Sequence, residues 1–236
     1  MPMIEPIAVR SLSELVYEYL RKQLSEGQLQ PGAFIDVNTL SAALQVSKTP
    51  LRDALLQLAG EGFIEVLPRR GFVVHKLTLS DIRHLYQMIG ALESAAFAEA
   101  AVKGSINGQT AAALRSLNDG MRTAVENNHL THYYALNCTF HTSYIHLSDN
   151  KDLIRLTDIY RQRLYDFPYR RDFLTDWERR SCSEHDAFIA LIEKGDLKGA
   201  ADHIREVHWS YDVQEDYILY FYHDAVDNPE GTIQTV

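Results

Sequence analysis

Two short helical patterns, VNTLSAAL and KTPLRDALLQLAG, are separated by only Gln45, Val46 and Ser47. So short a link forces the two helices to turn sharply and pack as a unit. After Gly62 the stretch FIEVLPRRGFVVHKL reads as strand, turn, strand. Its arms carry β-branched and aromatic residues, and PRRG supplies the turn. Upstream, SLSELVYEYLRKQLSE begins on Ser11, a good N-cap, and keeps helical spacing through Leu12, Leu15, Val16, Tyr19, Leu20 and Leu24. Gly27 ends that helix and Pro31-Gly32 marks a turn. The ordered set is a winged helix-turn-helix.

From Thr78 on, strand signals vanish. Helices are expected at about 79–103, 108–127, 130–147, 151–166, 172–194 and 197–224. Breaks fall at Lys103-Gly104, Asn127-Asn128, Asp149-Asn150, Pro168 and Gly195-Asp196. The expected fold is therefore mainly α: a winged helix-turn-helix with a small β-hairpin wing over 1–77, an all-α helical bundle over 78–225, and a flexible tail at 226–236.

Composition removes several classes of function. The chain of 236 residues has two cysteines, too few for a disulfide framework and suited to a reducing cytoplasm. No apolar run approaches the roughly 18 residues that span a bilayer, and MPMIEPIAVR lacks the build of a signal peptide. A cytoplasmic protein without membrane association is expected. The net charge of -9 falls wholly on the second part: residues 1–76 hold 8 Lys+Arg and 8 Asp+Glu. Within this neutral first part the cations cluster at Lys48, Arg52, Arg69, Arg70 and Lys76. Local clustering is what a phosphate backbone meets.

In a helix-turn-helix the second helix enters the major groove N-terminus first. Here that end offers Ser47, Lys48, Thr49 and Arg52, with Pro50 in the first turn, where its missing N–H costs nothing. Lys48 and Arg52 share a helix face. An arginine paired with guanine through two bonds discriminates by roughly 1–3 kcal/mol. The wing tip, Arg69-Arg70-Gly71, brings two cations toward a phosphate or the minor groove. Leu51, Ala54, Leu55, Leu58 and Phe63 are left to form the small core. Short basic helices usually face only water; the ordered combination with a basic wing favours DNA.

The helical part places Asn137 and His141 four apart on one helix, hence on one face. His185 and His208 lie symmetrically about the turn at Gly195-Asp196, so an antiparallel pair of helices sets them opposite each other. Inward histidines on facing helices are how bundles hold metals, and imidazole suits zinc, nickel and related ions. With 10 histidines in the chain, some alignment is expected by chance. His75, His84, His129, His132, His146, His203 and His223 have no such pairing.

Residues 11–76 resemble the GntR family of bacterial regulators. LSAALQVSKTPLRDALLQLAGEGFIEVLPRRGFVV is similar to that family's small helix, V-S-R-T-P-V-R, apolar helix, E-G-hydrophobic and R-G wing. Lys48 stands where Arg is usual and Leu51 where Val is. The resemblance implies DNA contacts at Lys48, Thr49, Arg52 and around Arg70-Gly71. Residues 79–224 resemble the FadR-type C-terminal ligand-binding (FCD) domain, on the strength of NCTFHTSYIHLSDNKDL and EHDAFIALIEKGDLKGAADHIREVH. That resemblance implies one divalent metal held by His141, His185 and His208, with Asn137 in the place of the usual Asp.

It also implies an effector, often an organic acid. The family's Arg four residues before the Glu of an ALE-like stretch is Ile89 here, before Glu93. This departure puts a simple organic acid in doubt and leaves Arg163 as a replacement cation. Cys182, three before His185, reads as a buried thiol. The expected function is an effector-modulated transcription regulator, a repressor acting as a homodimer on double-stranded operator DNA. The alternatives are a metal sensor, in which the ion is itself the signal, and a metal-dependent enzyme. Against the enzyme stand the attached DNA-reading domain and the lack of an acid or base beyond Glu184, which should point away from the site.

Overall fold

A computed structural model of the chain describes residues 10–166 and 175–222. The Pro168 break, the expected helix start at 172–174 and the tail lie outside the described residues. The chain forms two compact units, which meet in sequence between Leu77 and Thr78.

In the first unit α1 (Leu12–Ser25) starts from a full capping box. The Ser11 hydroxyl accepts from the Glu14 backbone, and the Glu14 side chain accepts from the Ser11 backbone. α2 (Val37–Leu44) is capped by Asp36 and stopped by Gln45 in the left-handed region, φ 54°. α3 (Lys48–Gly60) follows and buries Leu51, Ala54, Leu55 and Leu58. With Val16, Leu20 and Leu24 of α1, and with Phe63, these make the core. β2 (Ile64–Leu67) and β3 (Gly71–Val74) form the hairpin. The sheet also has a strand the sequence did not announce, β1 (Phe34–Ile35), giving the antiparallel order β1-β3-β2. β1 pairs Phe34 with Val73 and Ile35 with Phe72. A two-residue strand carries no periodicity of its own; β3 recruits it.

The second unit is helical: α4 (Leu79–Val102), α5 (Gly108–Glu126), α6 (Leu130–Ile145), α7 (Lys151–Asp166), α8 (Thr175–Glu193), α9 (Leu197–His203) and α10 (Tyr211–Phe221). Thr78 and Asp81 make a second capping box, which fixes where α4 starts. α5 packs against both α6 and α8. The helix expected at 197–224 does not run through. α9 passes into a π-turn over Ile204–His208, and the chain breaks at Trp209 and Ser210 before α10. Such π-segments recur at functional sites, and this one ends on His208.

Close approach of α4 lets the π-turn sit where it does. A Cβ added at Gly90 would lie 2.9 Å from Trp209 Cβ and 3.5 Å from Arg205 Cα. Both neighbours are held by packing, so neither yields easily. Gly90→Ala should lower the stability of this unit by about 1–3 kcal/mol, the usual range for overpacking, despite alanine's better helix propensity. Urea unfolding checks the sign; an unchanged or raised midpoint would mean that the two segments can separate without loss.

Candidate nucleic-acid face and metal centre

The α3 N-terminus lies open to solvent. Ser47, Lys48, Thr49 and Arg52 are all exposed. Ser47 holds the N-cap position with extended backbone, but its hydroxyl makes no capping bond. The hydroxyl thus stays on the outer face with its neighbours. At the wing, Arg70 N–H donates to Leu67 O at 3.0 Å and Arg69 adopts φ 63°, which closes the turn and leaves both arginines exposed. Between α2, Arg52 and the wing runs a groove of about 660 Å³ lined by Phe34, Asp36, Asn38, Arg52 and residues Val66 to Phe72. Arg52 of α3 and Arg69 and Arg70 of the wing therefore border one concave surface.

In the second unit His141 of α6, His185 of α8 and His208 of the π-turn converge. Their ring centroids lie 5.4 Å (141–185), 5.0 Å (141–208) and 4.8 Å (185–208) apart. Each offers a ligand atom within 4.8 Å of the others. Asn137, one turn before His141, is buried as well.

Each imidazole is oriented through Nδ1. His141 Nδ1 is 2.9 Å from Glu93 Oε2, which also accepts from the Tyr144 hydroxyl at 2.5 Å. His185 Nδ1 is 3.3 Å from Asn118 Oδ1, and Asn118 is itself held by donating to Cys182 O and Asp186. His208 Nδ1 is 2.9 Å from Glu184 Oε2, while the other oxygen of Glu184 accepts from Arg180 and Gln214. An acceptor on Nδ1 fixes the tautomer and leaves Nε2 with a free lone pair. The Nε2 atoms of His141 and His185 are buried and have no hydrogen-bond partner.

Burial pulls the His141 pKa down to about 4 against the pull of Glu93, and pulls His185 well below the usual histidine range. Both rings therefore stand neutral. Glu93 remains an anion: burial opposes its charge, but His141, Arg161 and Tyr144 together outweigh that cost.

The supporting shell corrects the expectation for Glu184. Its neighbour His185 points inward, yet Glu184 still serves the cluster, because His208 reaches its carboxylate from the other helix. Arg163 goes elsewhere: the charge beside it is Asp81, near the start of α4. Two residues along a helix is about 200° of rotation, so α7 presents Arg161 to the cluster instead, with Nε 3.3 Å from Glu93 Oε1. Cys182 is buried, and burial pushes its thiol up to about 11. His203 donates to or accepts from no histidine of the cluster but contacts Glu184 O at 2.9 Å. Glu93 and Asn118 are members that spacing could not reveal, since each acts across helices; Tyr144, three residues after His141 on α6 and 2.9 Å from its Nδ1, is one that helical spacing could have shown.

A winged helix-turn-helix joined to a helical bundle is the architecture of a DNA-binding regulator with a sensing domain. Residues 12–74 match the bacterial regulatory proteins of the gntR family, and residues 84–208 match the FCD domain. The chain belongs to the GntR family of transcriptional regulators and carries an FCD domain; these matches are to regulators and not to enzymes.

An uncharacterized HTH-type regulator from the TAR-I ttuE-ttuC' intergenic region of Agrobacterium vitis is 27% identical over 55% of this chain and 76% of its own length. The HTH-type transcriptional repressor RspR of Escherichia coli is 26% identical over 58% of this chain and 60% of its own. Among solved structures, E. coli McbR/YncC has the same fold, with TM-score 0.65 and 23% identity over 92% of this chain and 99% of that one. Among the described residues no helix is long and apolar enough to cross a membrane.

Proposed function

We propose that the protein represses transcription as a homodimer, and that a small molecule bound at a divalent metal in the FCD domain modulates its grip on DNA. His141, His185 and His208 would hold the ion through Nε2, with Asn137 as an oxygen ligand. The observation that carries this reading is the pair of buried, unpartnered Nε2 atoms. A buried polar atom left unsatisfied costs about 1–3 kcal/mol, and these two face one another's cluster with tautomers already set for ligation. The donor set fits zinc or nickel. When bound, the ion supplies a Lewis-acidic anchor with open positions for an anionic group such as a carboxylate. Arg161 and Glu93 position His141 rather than grip the effector. Bias of the effector toward one arrangement of the two units would supply the coupling free energy that regulation requires.

DNA is read by Ser47, Lys48, Thr49 and Arg52, with Arg69, Arg70 and Gly71 at the wing. The test begins by selecting duplexes from a randomised library with the wild-type protein; a twofold dimer should return paired half-sites. Arg52→Ala should then lose about 1–3 kcal/mol on the selected duplex and relax the preference at one position per half-site. Arg70→Ala should weaken selected and random duplexes alike, because a phosphate contact carries no base information. Wild-type affinity and specificity in both variants would remove α3 and the wing as the reading elements.

A further inference from the structure

We propose that Phe34 is a positioning residue for the wing: its ring, and not the hairpin turn alone, holds Arg69 and Arg70 where a DNA backbone can meet them. The inference rests on the DNA reading above. Phe34 and Ile35 form the whole of β1, and they face opposite ways. Ile35 is buried in the core, whereas Phe34 is 49% exposed on the wall of the groove. Leaving half of a large aromatic ring in water does nothing for the core. What the ring covers is Gly71, the first residue of β3 and the joint between the sheet and the wing tip: a Cβ there would lie 3.3 Å from Phe34 Cε1.

Gly71 has φ +109°, a conformation that L side chains rarely adopt. The joint must therefore be glycine, and glycine alone is the least constrained residue at which a wing could pivot. An aromatic ring laid across a strand glycine from the neighbouring strand replaces the missing side-chain contact. The pairing of β1 with β3 is extended at its far end by Gly32 N–H to Val74 O and Val74 N–H to Ala33 O, each 2.9 Å, so the ring stands on a fixed base. The turn beyond Gly71 is closed on itself by Arg70 N–H to Leu67 O. A rigid tip on a braced joint keeps both arginines preorganised, and the exposed half of the ring offers a flat apolar wall to deoxyribose in the same groove.

The experiment is a cycle of Phe34→Ala and the pair Arg69→Ala/Arg70→Ala, alone and combined. Affinity is read over a range of salt on a short duplex selected by the wild-type protein. The arginine pair should lower the slope of log affinity against log salt by about 2 per protomer, one per phosphate contact, hence by about 4 for the dimer on its paired half-sites. Phe34→Ala should weaken binding severalfold and lower the slope in the same sense, with a melting temperature near wild type. Phe34→Tyr should bind as wild type. In the arginine-free background Phe34→Ala should cost little more.

Wild-type binding by Phe34→Ala, or a loss that adds in full to that of the arginine pair, overturns the proposal while leaving the wing as a DNA contact. Wild-type binding by the arginine pair instead removes the wing reading itself. Should Phe34→Ala fold poorly, Phe34→Leu carries the same cycle, because it keeps an apolar side chain in β1 without the flat ring.

Discussion

Zinc or nickel is expected to raise the melting temperature of the wild-type protein, and His185→Ala to abolish that increment and the retained metal. The three imidazoles come from α6, α8 and the π-turn, so the unfolded chain offers no equivalent site and binding adds directly to folding stability. At a free metal concentration about 1,000 times the dissociation constant that increment is about 4 kcal/mol. For a unit of this size it corresponds to a rise on the order of 10 °C. In His185→Ala the site keeps two imidazoles and loses the ring stacked on Phe140 at 4.1 Å. Comparing each protein with and without chelator separates that packing loss from the metal effect.

His84→Ala, at an exposed position outside the cluster, is the control and should respond to metal as wild type does. Glu93→Gln keeps every ligand but weakens the acceptor on His141 Nδ1, and should cost about 10–100-fold in metal affinity. Equal metal content and an equal chelator-sensitive shift in His185→Ala and wild type would rule out this site.

The second large effect lies away from the histidines. Glu178→Gln is expected to stabilise the protein at pH 8 and to have almost no effect near pH 4. Glu178 is 4% exposed, and the hydroxyl of Tyr134 donates to it at 2.7 Å. Burial pushes its pKa up to about 7 from 4.5, with the Tyr134 hydrogen bond pulling the other way. Below the unfolded value the carboxyl is neutral in both states and costs nothing. Between about 4.5 and 7 the unfolded chain ionises while the native one keeps its proton, so native stability falls as pH rises. Above 7 the native protein carries a buried charge.

At 1.36 kcal/mol per pKa unit the full penalty is on the order of 3 kcal/mol. Glutamine keeps an acceptor for Tyr134 and never ionises. Urea unfolding at several pH values should therefore show a stability difference that opens between pH 5 and 8. A difference that stays constant across that range would mean that Glu178 ionises as freely in the native state as in the unfolded one.

Much of the first unit is legible in the residues because its signals are local. Ser11 and the Gln45–Ser47 link mark helix ends through caps and φ preferences that act within a few positions. The apolar stripe Leu51, Ala54, Leu55, Leu58 is buried as its period requires. In the second unit, helical spacing set Asn137 and His141 on one face, and symmetry about Gly195 set His185 opposite His208; the structure brings the three histidines together and buries Asn137 one turn away.

Tertiary structure alone decided the rest, for reasons of reach. β1 is two residues long and exists because β3 offers it a partner, so no pattern in Phe34-Ile35 could announce it. The π-turn at Ile204–His208 lies against α4, where Gly90 leaves room for Trp209 and Arg205, a contact between residues far apart in the chain. The partners that orient the imidazoles, Glu93, Asn118 and Glu184, each reach across from another helix. Arg161 rather than Arg163 faces the cluster because the rotation of α7 about its own axis is set by what it packs on. Residue type and spacing say which side chains share a face; only packing says which faces meet.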